Sequence, residues 1–312
     1  MEKLKMKRRK GEWAQAGWDD RIFLIVVYSV LILVTFCCLY PMYFTVIASF
    51  SDPGAVYTGK VNLWSVGFST ESYKLVFNDS RIWRGYANSI YYTVVGTVFN
   101  LLLTIPGAYA LSKRRMYGRG IITTIFIFTM YFGGGMIPYY ILLKNMQLLN
   151  TRWVLIIGGG VSVYNMVVTR TYFLNNVPES LCEAARIDGA SEFGTFLRVV
   201  LPISGPIIAV MALYYAVGHW SSYFAGMVYV TDPDIQPLQV VLRKILILNE
   251  TAYADAMESG DAALIINAEK RAQVVVAMKY AVVFIGSLPM LILYPFIQKH
   301  FVKGIMVGSL KG

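Results

Sequence analysis

The chain has few of the residues on which catalysis is commonly built: 3 cysteines, 2 histidines and 18 acids among 312 residues. Cys37 and Cys38 lie within one apolar run, so there is neither a disulfide framework nor a paired metal-ligand spacing. No GxxxxGK[ST] loop occurs, which excludes a P-loop cradle for nucleotide phosphates. His219 and His300 have no acid or cysteine close in sequence, and HExxH, GxSxG and CxxC are missing. An intramembrane enzyme would therefore have no visible catalytic set.

Apolar residues are abundant instead. They make up 56% of the chain and aromatics 14%, against about 45–50% apolar in soluble domains. The excess must face lipid or other spanning helices. Crossing a hydrocarbon core of about 30 Å takes roughly 20 apolar residues, and six runs qualify: Ile22 to Tyr40, Ile90 to Leu111, Ile121 to Leu143, Trp153 to Phe173, Leu201 to about Tyr223, and Val274 to Ile297. The expectation is an all-α membrane protein with six transmembrane helices, the fifth bent or overlong. The first run follows a basic stretch that resembles a signal-peptide start, but its full length and the lack of a small-residue cleavage site favour a retained helix.

None of the six runs holds Asp or Glu. Ion-coupled transporters usually need intramembrane carboxylates as carriers or ligands, so chemiosmotic coupling is disfavoured. With the N-terminus cytoplasmic, the inner segments hold 17 of the 28 basic residues but only 8 of the 18 acids, as the positive-inside tendency predicts. Both termini are then cytoplasmic. The net charge of +10 is accounted for by topology and anionic headgroups, with no need for nucleic acid.

The longest inner connection, Val177 to Pro202, reads VPESLCEAARIDGASEFGTFLRVVLP and parses as two short helices. Pro178 and Glu179 suit the start of the first, Gly189 its stop, and Ser191 a cap for the second. Small residues Ala184 and Ala185 permit close approach of another surface, with Glu183 and Asp188 at the flanks.

The stretch EAARIDGASEFGTFLRVVLP resembles the EAA loop of binding-protein-dependent ABC importer permeases, with Glu183, Ala184, Ala185, Asp188, Gly189, Ala190, Phe196, Leu201 and Pro202 in register. NSIYYTVVGT from Asn88, AYALSKRRMYGRG from Ala108, FGGGMIPYY from Phe132 and YPFIQKHFVKGIMVGSLKG from Tyr294 are similar to its MalG-like sugar branch, LplC/YtcP-type members in particular. The resemblance covers nearly the whole chain and implies a type I ABC importer permease fold in the cell membrane. The implied map is a basic cytoplasmic tail at 1–21, a first transmembrane helix at 22–50, an extracellular segment at 51–86, a five-helix transmembrane domain at 87–300 containing the EAA loop at 177–202, and a cytoplasmic tail at 301–312.

The resemblance further implies that Glu183, Ala184, Ala185, Asp188 and Gly189 form a coupling helix entering a cleft of an ATPase subunit, and that Gly308, Lys311 and Gly312 of the tail reach the ATPases. This chain would carry no cofactor; ATP and Mg would be bound by two partner ATPase subunits. A second permease chain and an extracellular solute-binding protein complete the implied assembly, which imports sugars or oligosaccharides. A permease for a non-sugar solute such as peptides, or an ion-coupled secondary transporter, is the alternative.

For a substrate path the residues themselves nominate Asn100 and Asn165, near mid-span, and Tyr215, His219 and Tyr223, spaced i, i+4 and i+8 on one helical face with Trp220 and Ser222 beside it. Aromatic faces and hydroxyl partners suit sugars. Helix-to-helix hydrogen bonding or an interfacial aromatic belt would use the same residues. Gly133, Gly134 and Gly135, ahead of Pro138, read as a close packing point or a hinge, with packing favoured.

Overall fold

The structure, a computed structural model, describes residues 17–259 and 262–309. Among them every regular element is helical. Helix α1 (Trp18–Ser49) is followed by two short helices, α2 (Pro53–Tyr57) and α3 (Glu71–Asn78), and then by α4 (Ser80–Ser112). Asp79 caps α4, its carboxylate accepting the Arg81 N–H at 2.9 Å and pairing with the guanidinium at 2.7 Å. Hydrogen bonding to Arg81 holds the Asp79 carboxyl below its usual range. After α5 (Arg119–Tyr131), α6 (Met136–Asn145), α7 (Arg152–Ile157) and α8 (Val163–Asn176) come α9 (Glu179–Ile187), α10 (Glu192–Thr195) and α11 (Leu201–Ile203). Then follow α12 (Gly205–Trp220), α13 (Tyr223–Tyr229), α14 (Leu238–Ser259) and α15 (Ala262–Ser309).

Helix α4 is the central post, packed against α8, α12 and α14. Its buried positions Asn88, Tyr92, Gly96, Asn100, Thr104 and Ala108 recur every four residues, so one stripe faces the interior. This stripe is mostly polar or small, as expected where helices must approach closely without water to satisfy their hydrogen bonds. At Gly96 an added Cβ would lie 2.4 Å from the His219 ring, so only glycine lets α12 sit this close. Helix α1 stands apart: none of its most apolar window is buried. It touches the rest near its end, where Phe44 meets Tyr280 edge-on at 5.5 Å and Ala48 is buried with Ala277.

The expectation of six spans holds in part. Among the described residues three helices are long and apolar enough to cross a membrane, α1, α4 and the 263–292 part of α15, and up to five if each bent pair counts as one span. The run at 121–143 is α5 and α6 bent by 114°. Phe132 leaves the helix and Gly135 takes φ +84°, while a Cβ at Gly133, Gly134 or Gly135 would meet nothing within 4 Å. These glycines are thus a bend, and the close-packing expectation is corrected. The run at 153–173 is interrupted between Ile157 and Val163 and gives no candidate span of its own. The fifth run bends by 81° at Ser204, just before Gly205 and Pro206, where the proline has no N–H for the helical ladder.

Segments expected outside the membrane are also more tightly held than hydropathy implies. The Asn88 carboxamide donates to the Asp234 and Gln236 carbonyls at 2.8 and 3.1 Å, Tyr92 Oη donates to Ile235 O at 2.6 Å, and Leu238 N–H donates to Ser89 Oγ at 2.9 Å. Leu238, Val241 and Ile245 then pack with Met278, Ala281 and Val282 of α15. The start of the 231–273 segment is therefore sewn onto α4 and α15.

Candidate functional site

Two places concentrate the nominated residues. The first is the loop carrying α9 to α11. Helix α9 ends at Gly189, whose φ of +81° is the left-handed region that glycine enters without strain. Ser191 then caps α10, its Oγ accepting the Gly194 N–H at 3.1 Å. Phe196–Val200 form a π-helical turn, a rare geometry often found at functional sites. It ends just before Pro202, which cannot donate a helical hydrogen bond. Arg186 pairs with Glu192 at 2.6 Å across the turn, and this hydrogen bond raises the Arg186 pKa.

The two faces of α9 differ. Glu183, Ala184, Asp188 and Gly189 are exposed, with Ile187 86% exposed. Ala185 turns inward and is buried, as is Cys182 at 1% exposure. Of the five residues assigned to coupling, four thus lie on the outer face and Ala185 packs against the chain's own bundle. Ile187, together with Phe193 at 70% exposure, extends the outer face with apolar surface that the motif had not singled out. Neither side chain has another role visible here, and their exposure cannot be read from spacing alone.

Cys182 looked unremarkable in the sequence but is the inward anchor of α9. Lys113, at the end of α4, donates to its Sγ at 3.2 Å and lies 4.4 Å from the Tyr109 ring centroid. Tyr109 packs on Phe196 at 5.0 Å and on Phe173 at 5.7 Å. Burial pulls the Lys113 ammonium down, but the Tyr109 and Cys182 side chains beside it more than offset this, and its pKa stands above the ordinary lysine value. One cation therefore ties α9, α4 and the π turn together.

The second place is a cavity of about 440 Å³ between α7, α8 and α12, within the usual range of small-molecule sites. Of the nominated residues, Asn165, Tyr215 and His219 line it, with Ser222. Asn100 stands behind the wall, its carboxamide donating to the Gly159 and Gly160 carbonyls at 2.6 and 2.9 Å while its Oδ1 meets His219 Nε2 at 2.5 Å. Tyr215 Oη lies 2.6 Å from Thr104 Oγ1 and accepts the Ser162 N–H at 3.2 Å. Asn100 thus satisfies the backbone where the helical run is broken.

Trp220 and Tyr223 are elsewhere. Trp220 is buried and donates to Gly286 O at 2.9 Å, binding α12 to α15. Tyr223 does not share a helical face with Tyr215 and His219, because α12 stops at Trp220 and a new helix begins at Tyr223. Its hydroxyl donates to Met227 Sδ at 3.3 Å and its ring lies beneath Arg243. The cavity draws instead on Tyr139, Tyr214 and Tyr229, which the four-residue spacing could not find. In the tail, Gly308 falls in the last turns of α15, and Lys311 and Gly312 lie outside the described residues.

Helices long and apolar enough to cross a membrane, with a cavity among them, fit the membrane component of a transporter. The chain belongs to the family of binding-protein-dependent transport system inner membrane components, which it matches over residues 81–307. It is 35% identical over 293 residues to the polygalacturonan/rhamnogalacturonan transport system permease protein YtcP of Bacillus subtilis, covering 94% of this chain and 99% of the relative. Protein LplC of the same organism is 38% identical over 274 residues, 87% of this chain and 89% of that one. The crystal structure of a bacterial ABC transporter involved in import of the acidic polysaccharide alginate contains a chain of the same fold. Its TM-score is 0.79 at 35% identity, over 92% of this chain and 99% of that one. The family and these relatives place the protein among ABC permeases of sugar import, a transporter component and not an enzyme.

Proposed function

We propose that this chain is one of two permease subunits of an importer for sugars or oligosaccharides, fed by an extracellular solute-binding protein and driven by ATP hydrolysis in two separate ATPase subunits. Six membrane crossings with both termini cytoplasmic complete the reading, the bent and broken helical pairs each serving as one crossing. Support comes from relatives named for polygalacturonan/rhamnogalacturonan transport and for alginate import.

The observation that carries the coupling is the two-faced α9. Its outer face offers Ala184, Ile187, Asp188 and Gly189 to a partner, extended by Phe193, while its inner face is clamped to α4 through Cys182 and Lys113. A push on the outer face would therefore reach the bundle instead of bending a loose loop. Glu183 at the edge of that face would meet the ATPase rim, and Gly308, Lys311 and Gly312 would add a tail contact. ATP and Mg are held by the ATPases and not by this chain. The test is reconstitution of the full complex in vesicles: binding-protein-stimulated ATP hydrolysis and sugar uptake are expected together, and uptake that persists without ATP but collapses with an ion gradient would overturn the reading.

A further inference from the structure

One wall of the cavity is a helix N-terminus. Helix α8 runs for 14 residues from Val163, is capped by Ser162, and presents both Ser162 and Asn165 to the cavity. Such an end carries partial positive charge, which favours an anion, although the N–H groups of Asn165 and Ser162 are themselves taken by Ser162 Oγ and Tyr215 Oη. A second observation points the same way: Asn165 is only 6% exposed, yet its carboxamide, on the cavity wall, has no hydrogen-bond partner among the described residues. Of the neighbouring polar groups, Tyr215 is committed to Thr104 and Ser162, Tyr139 to the Gly158 carbonyl and His219 to Asn100, while Ser222 Oγ on the same wall also lacks a partner among the described residues. The Asn165 amide is not among the described side-chain polar atoms that are sealed from solvent without a partner, so it faces the cavity with its hydrogen-bonding capacity open to a passing solute.

No Asp or Glu lines the cavity to repel an anion, and no Lys or Arg lines it to trap one. Resting on the import reading above, we propose that the α8 N-terminus and Asn165 form a transit subsite for the carboxylate of a uronate residue in the passing sugar. The Asn165 amide N–H donates to a carboxylate oxygen while the aromatic wall takes the ring. A helix end and a neutral amide hold an anion weakly, which suits a site that must release its occupant.

The assembled complex in lipid nanodiscs, with Cys37→Ser and Cys38→Ser to silence exposed thiols, carries Ala225→Cys as a reporter on the cavity wall. Protection of that thiol from methanethiosulfonate is measured with trigalacturonate and with its methyl ester, and the same complex without Ala225→Cys gives the background. The acid is expected to protect at roughly two- to fivefold lower concentration than the ester. Asn165→Asp should abolish that preference by placing a like charge at the helix end, and Asn165→Gln should keep it. Equal or better protection by the ester, no protection by either, or a preference unchanged in Asn165→Asp would overturn the subsite. ATP-driven uptake in the same preparation separates the two ideas: if it persists while the preference is absent, only the subsite fails, and if no sugar enters on ATP, the import reading fails.

Discussion

Asn100 Oδ1 and His219 Nε2 lie 2.5 Å apart, and the same carboxamide donates to the carbonyls of Gly159 and Gly160. One side chain of α4 thereby holds α12 and satisfies the backbone where the run toward α8 is broken. Asn100→Leu would strand two carbonyls and an imidazole nitrogen, each lost partner costing about 1–3 kcal/mol. Thermal unfolding of the detergent-purified complex is expected to move to lower temperature, more than for Thr171→Val on the exposed side of α8. Equal unfolding midpoints for the two variants would show that the network is dispensable.

The Lys113 clasp on Cys182 makes a prediction about coupling. Lys113→Met keeps the aliphatic stem but removes the charge that lies over Tyr109 and reaches Cys182, an interaction of about 0.5–2 kcal/mol. A loosened α9 should lower sugar imported per ATP hydrolysed, with ATPase activity retained. Lys113→Arg, which keeps the charge beside Cys182 and Tyr109, is expected to leave the ratio intact. A Lys113→Met complex with the wild-type ratio would show that the contact carries no force.

The proposed topology rests on the charge distribution and is open to direct labelling. A cysteine at Thr251 should react from outside intact cells with an impermeant thiol reagent, and one at Ser191 should not, each in a Cys37→Ser, Cys38→Ser background. The reverse pattern would place the α9 loop outside and remove it from any ATPase.

The loop was the most legible part of the sequence, because its helix, stop and cap are set by local residues: Gly189 at positive φ and Ser191 capping α10 are found where their chemistry placed them. The cavity was legible in part. Asn165, Tyr215 and His219 line it, but Tyr223 was carried onto their face by a period that assumes one continuous helix, and α12 ends at Trp220. Hydropathy summed over a window is likewise blind to direction, so the 114° bend before Met136 and the interruption at 158–162 were invisible in apolar runs. The inward turn of Cys182 depends on α4 and α8, whose side chains it joins only in the folded bundle, and no local pattern reports it.

The strongest prediction concerns the outer face of α9. Ile187→Asp places a charge at an apolar surface position that is almost fully exposed, so it should cost the free chain little while charging a surface proposed to enter a partner's groove. Phe193→Asp tests the neighbouring patch. Gly189→Pro acts differently: proline cannot adopt φ +81°, so the turn between α9 and α10 must rearrange. Ala185→Trp also changes meaning now that Ala185 is buried, since a ring there would lever α9 off the bundle from within, at about 1–3 kcal/mol or more for overpacking. Ile187→Asp and Phe193→Asp are therefore expected to keep the unfolding temperature and lose co-purification of the ATPase subunits and uptake. Gly189→Pro and Ala185→Trp should lose uptake together with some stability. Wild-type ATPase recovery and uptake in both Ile187→Asp and Phe193→Asp would remove the outer face of α9 from the route by which ATP drives transport.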